Sequence, residues 1–245
     1  MSQTVSDVSP AARDVQPAAS DVPQATDRRT RRTRLALRDA LAEEIAATGD
    51  LSRVTVTAVT SRAGVTRRTF YSHYKDIPDL VNCIEKETVA ELRPLVAQLA
   101  SVHLDQLADA INHQEPCPGS QEILSYFKER GSYLRPLLGE GGDPAFSQRI
   151  RSMVHEVVAG RALDGIDLRA VGAFFDYYLT FAISAEVGVL LRWLEGGMRE
   201  SVRTMARIMT ALMFVRPGDL YDSPIELDLP SFALAVMLPD EEDNN

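Results

Sequence analysis

Apolar residues return every three or four positions along most of the chain between Leu37 and Met213, which is the period of amphipathic helices and predicts an all-α fold. Leu37, Leu41 and Ile45 mark a first helix that ends at Gly49, and Val56, Val59 and Ala63 mark a short second one with Thr55 as N-cap and Gly64 as its left-handed stop. Thr66 caps a third helix running from Arg67 to His73, whose Phe70 and Tyr74 form the buried side. Asp76, Pro78 and Asp79 open a long fourth helix with a stripe through Leu80, Ile84, Leu92, Leu95, Leu99 and Val102 to about Ile111, kinked at Pro94. Residues 112–119 break the pattern, and helices follow over Gln121–Leu138, from Pro144 through Val158, from an Asp167 cap to Glu195, and over Glu200–Val215.

The second and third helices, joined by a turn containing glycine, have the spacing of a helix-turn-helix. Arg67 and Arg68 stand in the first turn of the third helix, where the helix dipole favours acids, so they cost stability unless an anion or a guanine edge lies opposite. A fold has no use for them there. Arginine forks onto guanine O6 and N7, the Thr69 methyl can touch thymine, and Tyr71 and His73 can donate to phosphates. Thr55, Thr57, Thr66 and Lys75 frame the same surface and complete its contact set. The alternative is a solvated basic face on a short surface helix.

Charge sharpens this reading. The net charge of −9 is unequally distributed: residues 1–27 carry one Arg against four Asp, residues 28–76 eleven Lys/Arg against five acids, and residues 77–245 fourteen against twenty-six. A basic lobe on an acidic body keeps attraction to phosphate local. Five arginines crowd positions 28–34, and Arg31 and Arg34 among them are expected to reach the DNA backbone or minor groove, the alternative being a merely solubilising basic run. Residues 1–27 alternate Ala, Val, Pro, Ser and Asp without helical period and read as a disordered leader, with no signal-peptide core. Cys83 and Cys117 are expected as plain thiols in a reducing cytoplasm. His103, His113 and Cys117 make no metal site, since Pro116 and Pro118 disrupt any shared face, and no cofactor motif is present. The uncharged run Tyr177–Ala185 is far short of the ~20 residues of a membrane span.

Thr55-Val56, Ala63-Gly64-Val65, Thr69-Phe70-Tyr71, His73-Tyr74 and Leu80 together resemble the TetR/AcrR family of bacterial transcriptional regulators. The lysine this family usually places three residues after the aromatic closing the recognition helix is Ile77 here, so that phosphate contact either passes to Lys75 or is lost. Further on, Leu137-Leu138-Gly139, Gly142-Asp143-Pro144-Ala145-Phe146 and Leu190-Leu191-Arg192-Trp193-Leu194-Glu195-Gly196-Gly197-Met198 are similar to the C-terminal region of TetR-type regulators like the activator of dihydroxyacetone kinase operons. The resemblance spans roughly residues 30–215. It implies a helix-turn-helix domain over 28–78 and a helical regulatory and dimerisation domain over 79–215, while Pro217, Pro224, Pro230 and Pro239 prevent regular helix and leave an irregular tail over 216–245. It also implies an effector cavity, for which Tyr126, Phe127, Tyr133, His155, Phe174, Tyr177 and Tyr178 are candidate linings, with core packing as their alternative role.

The helix ending at Glu195 is apolar nearly all round, so part of its surface is expected to meet a second subunit. Phe181, Val189 and Trp193, with Val202, Met205 and Met209 of the next helix, are the expected four-helix dimer interface. The function these features imply is a cytoplasmic, homodimeric, non-enzymatic regulator, expected as a repressor, that reads a palindrome in double-stranded DNA under the control of a small-molecule effector. The alternative is an architectural or partner-controlled DNA binder without an effector.

Overall fold

The structure is a computed structural model describing residues 22–162 and 168–213, and all regular structure among these residues is helical. In chain order the elements are α1 (Val22–Thr48), a single 3-10 turn (Leu51–Arg53), α2 (Val56–Ala63), α3 (Arg67–Tyr71), α4 (Ile77–Leu99), α5 (Leu104–Asn112), α6 (Ser120–Leu138), α7 (Pro144–Ala162), α8 (Leu168–Glu195) and α9 (Val202–Leu212). The all-α expectation holds. The leader up to residue 21, the Asp167 cap and the tail from residue 216 lie outside the described residues.

Several boundaries differ from the sequence expectation, some for identifiable reasons. α1 starts at Val22, within the stretch 1–27 read from the sequence as a disordered leader, because Pro23 falls in a first turn where no backbone N–H is needed. The helix expected to run to about Ile111 stops at Leu99, and α5 begins after His103, whose amide donates to Gln106 Oε1 at 3.1 Å. α9 starts later than Glu200, because Ser201 is its cap and accepts from the Thr204 amide at 3.0 Å.

One continuous core runs from the N-terminal lobe into the body. Leu37, Leu41, Phe70, Leu80, Leu92, Leu134, Phe146 and Leu194 are all essentially inaccessible members of it. Full burial of each such side chain is worth about 1.5–3 kcal/mol. α1 packs on α6 and α4 packs on α7. A smaller cluster of Leu179, Ile183 and Val187 fastens α8 to Val154 and Val158 of α7.

The membrane reading of the sequence needs correcting in one respect. Phe174–Glu195 is long and apolar enough to cross a bilayer by length and composition, because isolated charges such as Glu186 interrupt the uncharged run without lowering the average hydropathy below that of a span. In this fold it packs one side on α7 and the core.

Candidate nucleic-acid interface

The helix-turn-helix is assembled by three local devices. The Thr55 hydroxyl accepts the Ala58 amide at 3.2 Å and starts α2. Gly64 at φ +66° stops it, and the turn closes with the Val65 amide on the Thr60 carbonyl at 3.0 Å. The Thr66 hydroxyl then accepts the Thr69 amide at 3.1 Å and starts α3. The expected third helix is trimmed to Arg67–Tyr71, with Ser72 and His73 forming the turn after it.

Burial of one side of α3 decides what the other side presents. Phe70 is fully enclosed and Tyr74 nearly so, their ring centroids 5.8 Å apart, and this pair anchors the helix on the lobe. Arg67, Arg68 and Tyr71 are left in solvent, with Tyr71 59% exposed and set edge-on against Phe70. The Arg67 guanidinium donates to the Thr57 hydroxyl, so a residue of α2 steers an arginine of α3. Lys75 is exposed while its backbone amide donates to Asp79 Oδ2 at 2.9 Å, and Asp76 Oδ1 takes the Asp79 amide at 2.8 Å, which fixes the start of α4.

The other expected contacts are less free. The hydroxyls of Thr55 and Thr66 are used as caps, Thr69 is half-buried with its hydroxyl 2.9 Å from that of Thr66, and His73 is half-buried beside Tyr74. Arg31 is exposed on α1. Arg34 is engaged elsewhere: its Nε donates to the Tyr74 hydroxyl at 3.3 Å and its guanidinium pairs with Glu87 of α4. Arg62 is likewise held by Glu43 and Glu44 at 3.0 and 2.6 Å, which raises its pKa further above the ordinary arginine value. The basic lobe is thus partly neutralised from within, and Arg67, Arg68 and Lys75 are its outward cations around α3.

Two long-range contacts near the junction of lobe and body were not legible in the sequence. The Leu51 amide donates to the Gly141 carbonyl at 2.7 Å, and Glu85, with no exposed surface, pairs with the half-exposed Arg149 of α7. Both stand at a groove of about 540 Å³ whose walls include Ile77, Asp79, Asn82 and Asp143. The partners are far apart in sequence and no local pattern joins them.

The candidate effector residues fall into separate groups. Tyr126, Phe127 and Tyr133 are buried in the core, with the Tyr126 and Phe127 centroids 5.7 Å apart. Phe174 is half-buried, His155 Nε2 lies 3.1 Å from Asp176, and Tyr177 and Tyr178 face outward, 69% and 48% exposed. The dimer candidates also divide. Phe181 is 72% exposed and Val189, Val202 and Met209 are half-buried, whereas Trp193 and Met205 are enclosed within the protomer's own core, because the apolar circumference of α8 is shared between that core and solvent. Two aliphatic residues the sequence reading passed over, Ile208 and Leu212 of α9, are exposed instead.

Comparison with known proteins adds to this geometry. Residues 114–214 match the TetR_C_8 family, described as Transcriptional regulator C-terminal region. Among solved structures, a TetR transcriptional regulator from Streptococcus agalactiae 2603V is similar at 22% identity and a TM-score of 0.48, over 78% of this chain and 98% of that one. No curated protein sequence matches the chain.

Proposed function

We propose, from a body that matches a regulator C-terminal region and a lobe built as a helix-turn-helix, that this chain is a TetR-type DNA-binding transcriptional regulator without catalytic activity. The observation that carries the reading is the pair Arg67 and Arg68, exposed at the first turn of α3 on a helix anchored from behind by Phe70 and Tyr74. Arg67, directed by Thr57, and Arg68 read base edges in the major groove, and Tyr71, His73, Lys75 and Arg31 contact phosphates. Thr55 and Thr66 position these groups as caps, and Thr69 meets the groove with its methyl.

The protein acts as a two-fold dimer. Phe181, Tyr177 and Tyr178 on α8, with Ile208 and Leu212 on α9, supply exposed apolar surface for a second copy, flanked by Val189, Val202 and Met209. Trp193 and Met205 support this face from behind. Two copies set their α3 helices about 34–36 Å apart, one turn of duplex, so the operator is a palindrome. Repression follows where that operator overlaps a promoter, and the body's sequence resembles that of the dihydroxyacetone-kinase-operon activator branch.

Selection of bound duplexes from a random pool by the full chain tests this reading. Enrichment of two inverted half-sites is expected, and a pool with no enriched sequence would overturn it. Effector control within the body is the finer part of the proposal. A second reading, control by a protein partner, is favoured by the division of the aromatic candidates between filled core and exposed surface. A selected duplex whose affinity for the protein changes with at least one metabolite in a screen supports the effector.

A further inference from the structure

Four arginines and two glutamates line a cleft of about 400 Å³ between α1, α4 and α6: Arg31, Arg34, Arg38 and Arg130 against Glu87 and Glu91. The lining itself carries two more cations than anions, and Asp39 on Arg38 and Glu129 on Arg130 offset that excess from outside it. Two of the guanidinium groups are held as flat plates, with the Arg38 Cζ 4.0 Å from the Tyr133 ring centroid and the Arg130 Cζ 4.0 Å from that of Tyr126. Stacking occupies their faces and leaves their N–H edges to carboxylates in plane: Arg38 Nε and Nη2 donate to Asp39 Oδ1 at 2.9 and 2.7 Å, and Arg130 Nη1 donates to Glu129 Oε2 at 3.4 Å, the geometry that also recognises phosphate oxygens.

The acids now beside these groups are weak partners. Glu87, which pairs with Arg34, Glu91, 3.3 Å from Arg130, Glu129 on Arg130 and Asp39 on Arg38 all have more than half of their side chains in solvent. Exposed ion pairs of this kind contribute little, so an external anion can displace them at low cost. Arg31 is exposed at the rim, and below the Arg130 plate the Tyr126 hydroxyl is buried without a hydrogen-bond partner. A void of this volume holds a small molecule and not a duplex backbone.

We propose that this cleft binds a small dianion of the phosphate-monoester or dicarboxylate class, with Arg34 and Arg130 as its principal ligands in place of Glu87 and Glu91. Occupancy would tie α1, the helix leading into the DNA-binding lobe, to α6 of the body. The binding itself does not depend on the regulator reading.

Isothermal titration of inorganic phosphate and of succinate into the full chain, at pH 8 and constant ionic strength, tests the site. The parent for all comparisons is the Arg67→Ala/Arg68→Ala protein, so that the two exposed arginines of α3 contribute nothing to anion binding and failure of the DNA reading leaves the result unaffected. Saturable one-to-one binding of at least one probe is expected, with Arg130→Gln weakening it at least tenfold. Glu91→Gln removes a competing carboxylate and should tighten it severalfold, a gain that misfolding cannot mimic. Absence of saturable binding by both probes, an Arg130→Gln affinity equal to the parent's, or an unchanged or weaker affinity in Glu91→Gln would overturn the proposal.

Discussion

The Leu51 amide donates a 2.7 Å hydrogen bond to the Gly141 carbonyl, joining the turn before α2 to the turn between α6 and α7. The backbones meet so closely that a Cβ on Gly141 would lie 2.5 Å from the Gly49 carbonyl oxygen and 2.8 Å from its carbon. Neither is the end of a flexible side chain, so one turn must move away from the other. Gly141→Ala should therefore cost about 1–3 kcal/mol, as overpacking does. Thermal unfolding should show a melting temperature lower by several degrees, and an unchanged value would mean that the turns separate freely.

Glu85 and Arg149 tie α4 to α7 within the body, beside its junction with the lobe. Removing the arginine alone leaves a buried carboxylate without its partner, and because Arg149 is half in solvent the loss should be about 1–3 kcal/mol, below that of a fully enclosed pair. Glu85→Leu combined with Arg149→Met should recover most of it. Urea unfolding of the two singles and the double measures this coupling, and strictly additive losses would show that the pair contributes none.

What could be read from the sequence was what neighbours in the chain decide among themselves. Thr55, Gly64 and Thr66 act within three residues of their own position, so the limits of α2 and the start of α3 follow from residue type, as do Asp76 and Asp143 as helix starters. The break after Leu99 was hidden because Leu95, Leu99 and Val102 continue the helical stripe across it, and because α5 starts on His103 and Gln106 without the usual Ser, Thr or Asp. Arg34 shows the limit for the site. Its place in an arginine run suggests a phosphate contact, but Glu87, which engages it, lies 53 positions away and only the shared packing of α1 and α4 on α6 brings them together. Trp193 shows it for the apolar face: periodicity marks it as buried without saying whether by its own chain or by another.

Glu186 gives a pH dependence. Burial raises its carboxyl to about 7, above the ordinary glutamate value of 4.5. Between these values the folded chain holds a proton that the unfolded chain has released, so stability falls as pH rises from 4.5 to 7, and the full cost of a buried charge remains above pH 7. Glu186→Gln should flatten that part of the stability profile and stabilise the protein at pH 8 by about 1–2 kcal/mol, a figure reduced for the partial solvent access of the group. Chemical denaturation at pH 5 and pH 8 reads the difference, and parallel profiles for parent and variant would place the carboxylate in water.

A charge at Phe181 tests the proposed dimer surface. The ring is 72% exposed, so Phe181→Glu costs the isolated protomer little, whereas placing two carboxylates in an apolar two-fold contact should abolish it. Light scattering after size-exclusion chromatography should report a dimer for the parent and a monomer for the variant. A variant that remains dimeric would move the interface to another face.

The central claim concerns the two arginines of α3. Fluorescence anisotropy of a selected operator duplex, titrated with the parent protein, Arg67→Ala and Arg68→Ala at one fixed salt concentration, addresses it most directly. Each variant is predicted to lose about 1–3 kcal/mol of binding free energy and to discriminate less between the operator and a scrambled duplex. Both variants binding the operator as tightly and as selectively as the parent would contradict the account.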